Sequence, residues 1–225
     1  MFSIQELFEQ RPPRPSRGGQ SLHSGKRQEV CVASRLKSLL FNGIPVQVGE
    51  TAGGGHGDDV AVTIGVMRVG FEVGTPGKFE GGGCTLRVEN GQLAVPENKP
   101  LLRSLMGSYR PWGGVVPPLT SVCPDDYLDV PRDSIARYYR EKGTHYLSMG
   151  KGLYHTGEDV LGLGVPLFEV DGIRLRTRVT KHMAKLADGG RKPTDYTTAL
   201  TFPVRKLAPS PCSLFGTLPP GFTEA

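Results

Sequence analysis

The sequence predicts an α/β protein: a central mixed β-sheet flanked by helices, followed by a loop-rich β extension toward the C-terminus. Three observations predict it. Hydrophobic residues make up 37% of 225, enough for a sizeable core. Gly (31) and Pro (19) together form about a fifth of the chain, so loops and short strands are expected rather than a helical bundle. Short alternating segments also mix with stretches of helical spacing along the whole length.

The elements follow in order. Residues 2–9 carry Phe2, Ile4, Leu7 and Phe8 on one or two amphipathic turns. Residues 11–26 are rich in Arg, Pro, Ser and Gly, so residues 1–26 read as an arm or linker and 27–225 as one α/β domain. Arg11, Arg14 and Arg17 in that arm are candidate phosphate contacts. A helix is predicted over about 26–41, where Ala33, Leu36 and Leu40 fall at helical spacing and Glu29 extends the stripe by a turn. A carboxylate there is either paired with a cation or metal, or a first-turn acid favoured by the helix dipole. A strand near Pro45–Val48 leads into the glycine-rich loop Gly53–Gly57. Val60–Ile64 and Met67–Val73 then alternate, with Gly65 at the bend between them. Strands at Thr85–Val88 and Leu93–Val95 and helices at Lys99–Met106 and Arg132–Lys142 complete the middle of the chain. Ile173–Val179 alternates again, with Ile173, Leu175 and Val179 on one face and Arg174, Arg176 and Arg178 on the other.

Charge and motif content narrow the function. The net charge is +5, but residues 1–42 and 172–206 are strongly basic and the remainder sums to about −6. Basic segments flanking an acidic middle suit a protein that grips a polyanion around metal ions, and suit an ordinary solvated surface equally. No apolar run approaches the ~18–20 residues of a membrane span, and the N-terminus lacks a secretory pattern. An intracellular protein, cytoplasmic or nuclear, with no membrane partner and four reduced cysteines is therefore expected. None of Cys31, Cys84, Cys123 and Cys212 forms a C-x-x-C pair, so spacing argues against zinc. Gly77-Lys78 and Gly150-Lys151 lack the earlier glycine and following Ser/Thr of a phosphate-binding P-loop. Serine-hydrolase and zincin signatures are missing as well.

The carboxylates carry the chemistry. Asp59 stands at the mouth of the first alternating strand, and Arg68, Gly70, Glu72 and Gly74 share one face of the second. If the two strands form a hairpin, Asp59 and Glu72 meet near its open end. Two carboxylates held together repel, so a divalent cation between them is the favourable arrangement. Asp58 competes with Asp59 for that role, since a shift of one residue at a strand mouth is within reach of sequence reading. His56 is read as a loop residue near phosphate.

On these residues the chain resembles the restriction-endonuclease-like, PD-(D/E)XK nuclease superfamily. The resembling stretch runs from about Arg27 to Thr75: a helix with Glu29, the strand GIPVQV, the loop GGGHGDD, the strand VAVTI, and GFEVGT. The resemblance implies a restriction-endonuclease-like core with Asp59 and Glu72 as metal ligands, the Val73 carbonyl as a third, and Glu29 as the helical acid. It implies Mg²⁺ or Mn²⁺ as cofactor, DNA as the partner, and a homodimer as an option for double-strand cutting. The chain departs from the pattern at position 74, where the family's lysine is replaced by glycine. Lys78, four residues on, is the candidate stand-in for it.

Support from the second half is weaker. Residues 150–169 look like stretches in some proteins of this group, with Tyr154, His155 and Asp159 offering a base or a stacking ring; a glycine-rich loop packed against the sheet is the favoured alternative. Arg174, Arg176 and Arg178, with Lys181 and Lys185, are candidates for a phosphate groove. Three functions remain open: a Mg²⁺-dependent endonuclease acting on DNA, a catalytically silent nuclease-like module that binds nucleic acid or serves assembly, or an unrelated metal-independent binding domain.

Overall fold

The computed structural model describes residues 17–49, 59–74, 78–107, 109–119, 123–170, 172–180, 195–203 and 208–225, excepting the side chains of 17–26, 78–82, 180 and 202–203. His56, Asp58, Lys181 and Lys185, and the arm before residue 17, lie outside the described residues. The chain is mixed α/β with few helices and three sheets.

Helix α1 spans Arg17–Lys37. It takes in the last ten residues of the expected linker and stops before the expected end at 41. The reason for the early stop is distant in sequence. Leu39–Phe41 forms strand β1, which pairs with the C-terminal strand Phe222–Glu224 on one side and with β2 (Ile44–Pro45) on the other. Leu39 is fully buried by that pairing, a stronger demand than continuing a helical stripe.

The sheet that matters for function has five strands. They are β3 (Gln47–Val48), β4 (Val60–Ile64), β5 (Met67–Gly74), β9 (Thr144–Met149) and β10 (Gly152–His155), in the order β10-β9-β5-β4-β3. β5 and β9 run parallel and every other neighbouring pair antiparallel, so the sheet is mixed as expected. β4 and β5 join through a two-residue turn, Gly65-Val66, between the paired residues Ile64 and Met67. Gly65 adopts φ +61°, the left-handed conformation that such tight hairpins favour and that a side chain resists.

Alternation along these strands decides what each face meets. Val60, Val62, Val69, Phe71 and Tyr146 point to α1, where they pack with Val32 and Leu36. Leu147 and Met149 point the other way, into a second core with Ile135 and Tyr139. Those two residues belong to α3 (Ser134–Lys142), which packs on β9 and on the short helix α2 (Pro100–Met106). The parallel β5–β9 connection thus carries α3 on the face opposite α1.

The second core is closed by another five-stranded sheet, antiparallel throughout. Its order is β7 (Gln92–Ala94), β6 (Lys78–Glu89), β12 (Asp195–Pro203), β11 (Ile173–Thr180) and β8 (Asp126–Val130). β13 is the Phe222–Glu224 strand already met. The C-terminal β segment is therefore not an extension. β12 inserts between β6 and β11, and its Tyr196 and Leu200 fill the same core as Leu86 and Leu175. Alternation within β11 correctly separates Ile173 and Leu175 from the arginines, but Arg176 is buried too.

Candidate active site

The β4–β5 register leads directly to the site. Val60 pairs with Phe71, so one further step of the antiparallel ladder sets Asp59 opposite Glu72. A hydrogen bond fixes the geometry: the Val73 amide donates to Asp59 Oδ2 at 2.9 Å. Glu72 lies on the α3 face of β5, since its neighbours Phe71 and Val73 pack on the α1 side. In the parallel pairing Glu72 is aligned with Leu147 of β9.

The cation that balances these acids comes from α3. Ile135, Tyr139 and Lys142 recur at i, i+4 and i+7, a single face of the helix, and that face lies on the sheet. Gly143 ends the helix with φ +78°, and β9 begins at the next residue. Lys142 is thus the last helical residue, held where α3 meets the sheet. Its Nζ donates a short hydrogen bond to Glu72 Oε2 and lies 3.9 Å from Asp59 Oδ1. The Lys142 and Glu72 side chains are 13% and 8% exposed, and Asp59 is 22% exposed.

Burial by itself would lower the Lys142 pKa. The charges of Glu72, Tyr138 and Asp59 and the hydrogen bond to Glu72 outweigh it, and the ammonium titrates above its usual 10.5. At neutral pH it is therefore charged and acts as a donor, not as a base. Tyr139, one turn before Lys142, is completely buried. Burial, followed by the charges of Glu72, Tyr138 and Asp59, raises its hydroxyl pKa well above the ordinary value.

The other predicted residues fall elsewhere. Glu29 is half-buried on α1, the helix that covers the face of the sheet opposite Glu72 and α3. Among the described residues no three His, Cys, Asp or Glu side chains gather into a group able to hold a metal. Val73 contributes through its amide, which holds Asp59 in place. Lys78 opens β6 opposite Pro203 of β12, in the second sheet, and its side chain lies outside the described residues.

The three arginines of β11 are not a uniform open row. Arg174 is exposed, with Nε 2.9 Å from Asp129 Oδ1 and its guanidinium 5.9 Å over the Tyr127 ring. Arg176 is 4% exposed, with Nε 3.8 Å from Asp125 Oδ2. Arg178 is half-buried.

Residues 154–159 read as packing. Tyr154 is buried against Phe168. Asp159 organises the loop that follows: its carboxylate accepts hydrogen bonds from Tyr146 Oη at 2.6 Å and from the Leu163 and Gly164 amides at 2.9 and 2.8 Å.

Lys142 and Tyr139 are the residues that sequence reading overlooked. The signal was present, because a lysine closing the Ile135–Tyr139 stripe stands where the helix must bury its face. A lysine in such a place needs an acid beneath it. No family model matches the chain, no curated protein matches it, and no solved structure matches it.

Proposed function

We propose that this protein is a metal-dependent phosphodiesterase of the PD-(D/E)XK type that cleaves DNA, with Lys142 supplying the lysine that position 74 lacks. One observation carries the reading: two carboxylates on adjacent strands converge on a single ammonium delivered by a helix. Gly74 then ceases to argue against activity, because the cation reaches Glu72 from above the sheet rather than from along the strand. The mixed sheet with helices on both faces, and an acid before one strand and another within the next, agree with the same reading.

The donor set suits magnesium or manganese. These ions accept one or two carboxylates and retain several waters, so two acids suffice without a full protein cage. Asp59 Oδ2 is engaged by the Val73 amide, which leaves Oδ1 and the Glu72 carboxylate as ligand oxygens. Bound there, the metal would polarise the phosphoryl group and lower the pKa of a water. Lys142 keeps its proton at neutral pH and would orient the attacking water or hold a phosphoryl oxygen. Arg174 is an exposed guanidinium that would meet a phosphate of the DNA backbone.

A second reading has its own observation. Glu72 and Lys142 are so little exposed that the pair also suits a structural ion pair in a catalytically silent, nucleic-acid-binding module. Cleavage of plasmid and single-stranded DNA with Mg²⁺ or Mn²⁺ separates the two. The phosphodiesterase reading expects metal-dependent cutting that Glu72→Ala and Lys142→Ala both abolish. DNA binding without cutting by the wild type would refute it and leave the silent module.

A further inference from the structure

We propose that the Tyr139 hydroxyl is a further catalytic residue of this site, donating a hydrogen bond to a non-bridging oxygen of the phosphoryl group being attacked. The inference rests on the phosphodiesterase reading and adds a residue to it.

Three observations carry it. The Tyr139 side chain is wholly buried, and its hydroxyl has no hydrogen-bond partner among the described residues. Buried hydroxyls are nearly always paired, and one left unpaired is a loss that phenylalanine would avoid in the same space. The ring itself is well used, since it packs edge-on against Phe168 and beside Tyr138. Only the oxygen lacks an explanation.

The hydroxyl's setting supplies one. Tyr139 lies one helical turn before Lys142 on the stripe of α3 that covers β9. Its ionisation is opposed first by burial and then by the charges of Glu72, Tyr138 and Asp59; Glu72 and Asp59 are the two acids that Lys142 joins. Yet it forms no hydrogen bond with either carboxylate. A phosphoryl oxygen drawn to the Lys142 ammonium, one turn along the same stripe, would take the free donor.

The chemistry needs a donor there. In the hydrolysis a water oxygen bonds to phosphorus and the bond from phosphorus to one ester oxygen breaks. The proton lost by water ends on the departing oxygen, leaving a phosphomonoester and an alcohol. Negative charge grows on the non-bridging oxygens on the way, and a fixed donor in a dry site stabilises it. The Tyr139 hydroxyl keeps its proton at neutral pH, the ordinary tyrosine pKa being about 10. It therefore acts by position and dipole, beside the full charge of Lys142.

Tyr139→Phe tests this with three readouts. Urea denaturation is expected to show a variant at least as stable as the wild type, because the substitution removes only an unpaired polar atom. Single-turnover cleavage of a labelled DNA duplex in Mg²⁺ is expected to slow on the order of 10²-fold, with duplex affinity changed less than about twofold. Inorganic phosphate with Mg²⁺, the smallest mimic of the substrate group, is expected to raise the melting temperature of the wild type more than that of the variant. Equal single-turnover rates overturn the proposal, and so does a clear loss of stability, which would reveal a structural partner for the hydroxyl. If the wild type cuts no DNA the phosphodiesterase reading fails by itself. The phosphate readout then decides Tyr139 separately, and equal shifts for the two proteins overturn its role as an oxyanion donor.

Discussion

Replacing Lys142 by methionine removes one ammonium while keeping most of the side chain's length and apolar stem. In the folded protein this leaves Glu72, 8% exposed, and Asp59, 22% exposed, facing each other without their cation. Breaking a buried ion pair by deleting one partner costs roughly 3–5 kcal/mol, most of it the penalty for the charge left behind. The variant can relieve that penalty by taking a proton onto Glu72, whose pKa then rises above the unfolded value of about 4.3. A folded state that binds more protons than the unfolded one loses stability as pH rises. The deficit of the variant is therefore expected to be near its full size at pH 8 and to shrink toward pH 4–5. Divalent cations offer the second relief. Millimolar Mg²⁺ is expected to stabilise the variant more than the wild type, since two uncompensated carboxylates attract the ion more strongly than two that share one ammonium. Urea denaturation followed by the fluorescence of Trp112, the single tryptophan, measures all three quantities. A variant as stable as the wild type at pH 8, or a deficit independent of pH between 5 and 8, would refute the pairing of Lys142 with Glu72.

Other expectations follow from the same geometry. In the wild type Lys142 titrates above 10.5 when folded, so its contribution is complete below that pH and is lost as pH rises through the folded pKa; denaturation between pH 9 and 12 should show the decline, and Lys142→Met should not share it. A Gly74→Lys substitution is expected to add little cleavage to the wild type but to restore part of the activity lost in Lys142→Ala, because position 74 shares the Glu72 face; metal-dependent plasmid nicking reads both. Asp159 feels burial, which opposes its charge, but the hydrogen bonds from Tyr146, Leu163 and Gly164 prevail and its pKa is lowered. Its stabilisation is present above the unfolded value near 3.9 and lost as pH falls through the folded pKa, so Asp159→Asn should cost about 1–3 kcal/mol at pH 7 and less in acid, measured by urea denaturation. Arg35 on α1 grips Glu224 of β13 at 2.5 and 2.8 Å while its Nε donates to the Leu214 carbonyl at 2.7 Å. Arg35→Ala should speed amide hydrogen exchange in β1 and β13 with little change in β5 and β9.

The sequence by itself determined what short-range periodicity controls. Alternation over Val60–Ile64 and Met67–Gly74, with Gly65 able to take a left-handed turn, was enough to bring Asp59 opposite Glu72, because hairpin pairing is local and one register satisfies the buried face. The helical stripe of α3 was legible for the same reason. What lay beyond reach were pairings between distant segments. Whether Leu39–Phe41 continues a helix or forms a strand depends on Phe222–Glu224, some 180 residues away. The C-terminal strands read as an appendage because nothing in Asp195–Pro203 announces that β6 and β11 will flank it. The lysine was missed on the same account: Lys142 is 70 residues from Glu72, and only the parallel union of β5 with β9 sets the end of α3 over the two acids. A charge on a helix is ambiguous until tertiary packing shows which face is buried, and here burial turns a terminal lysine into the counter-ion of the site.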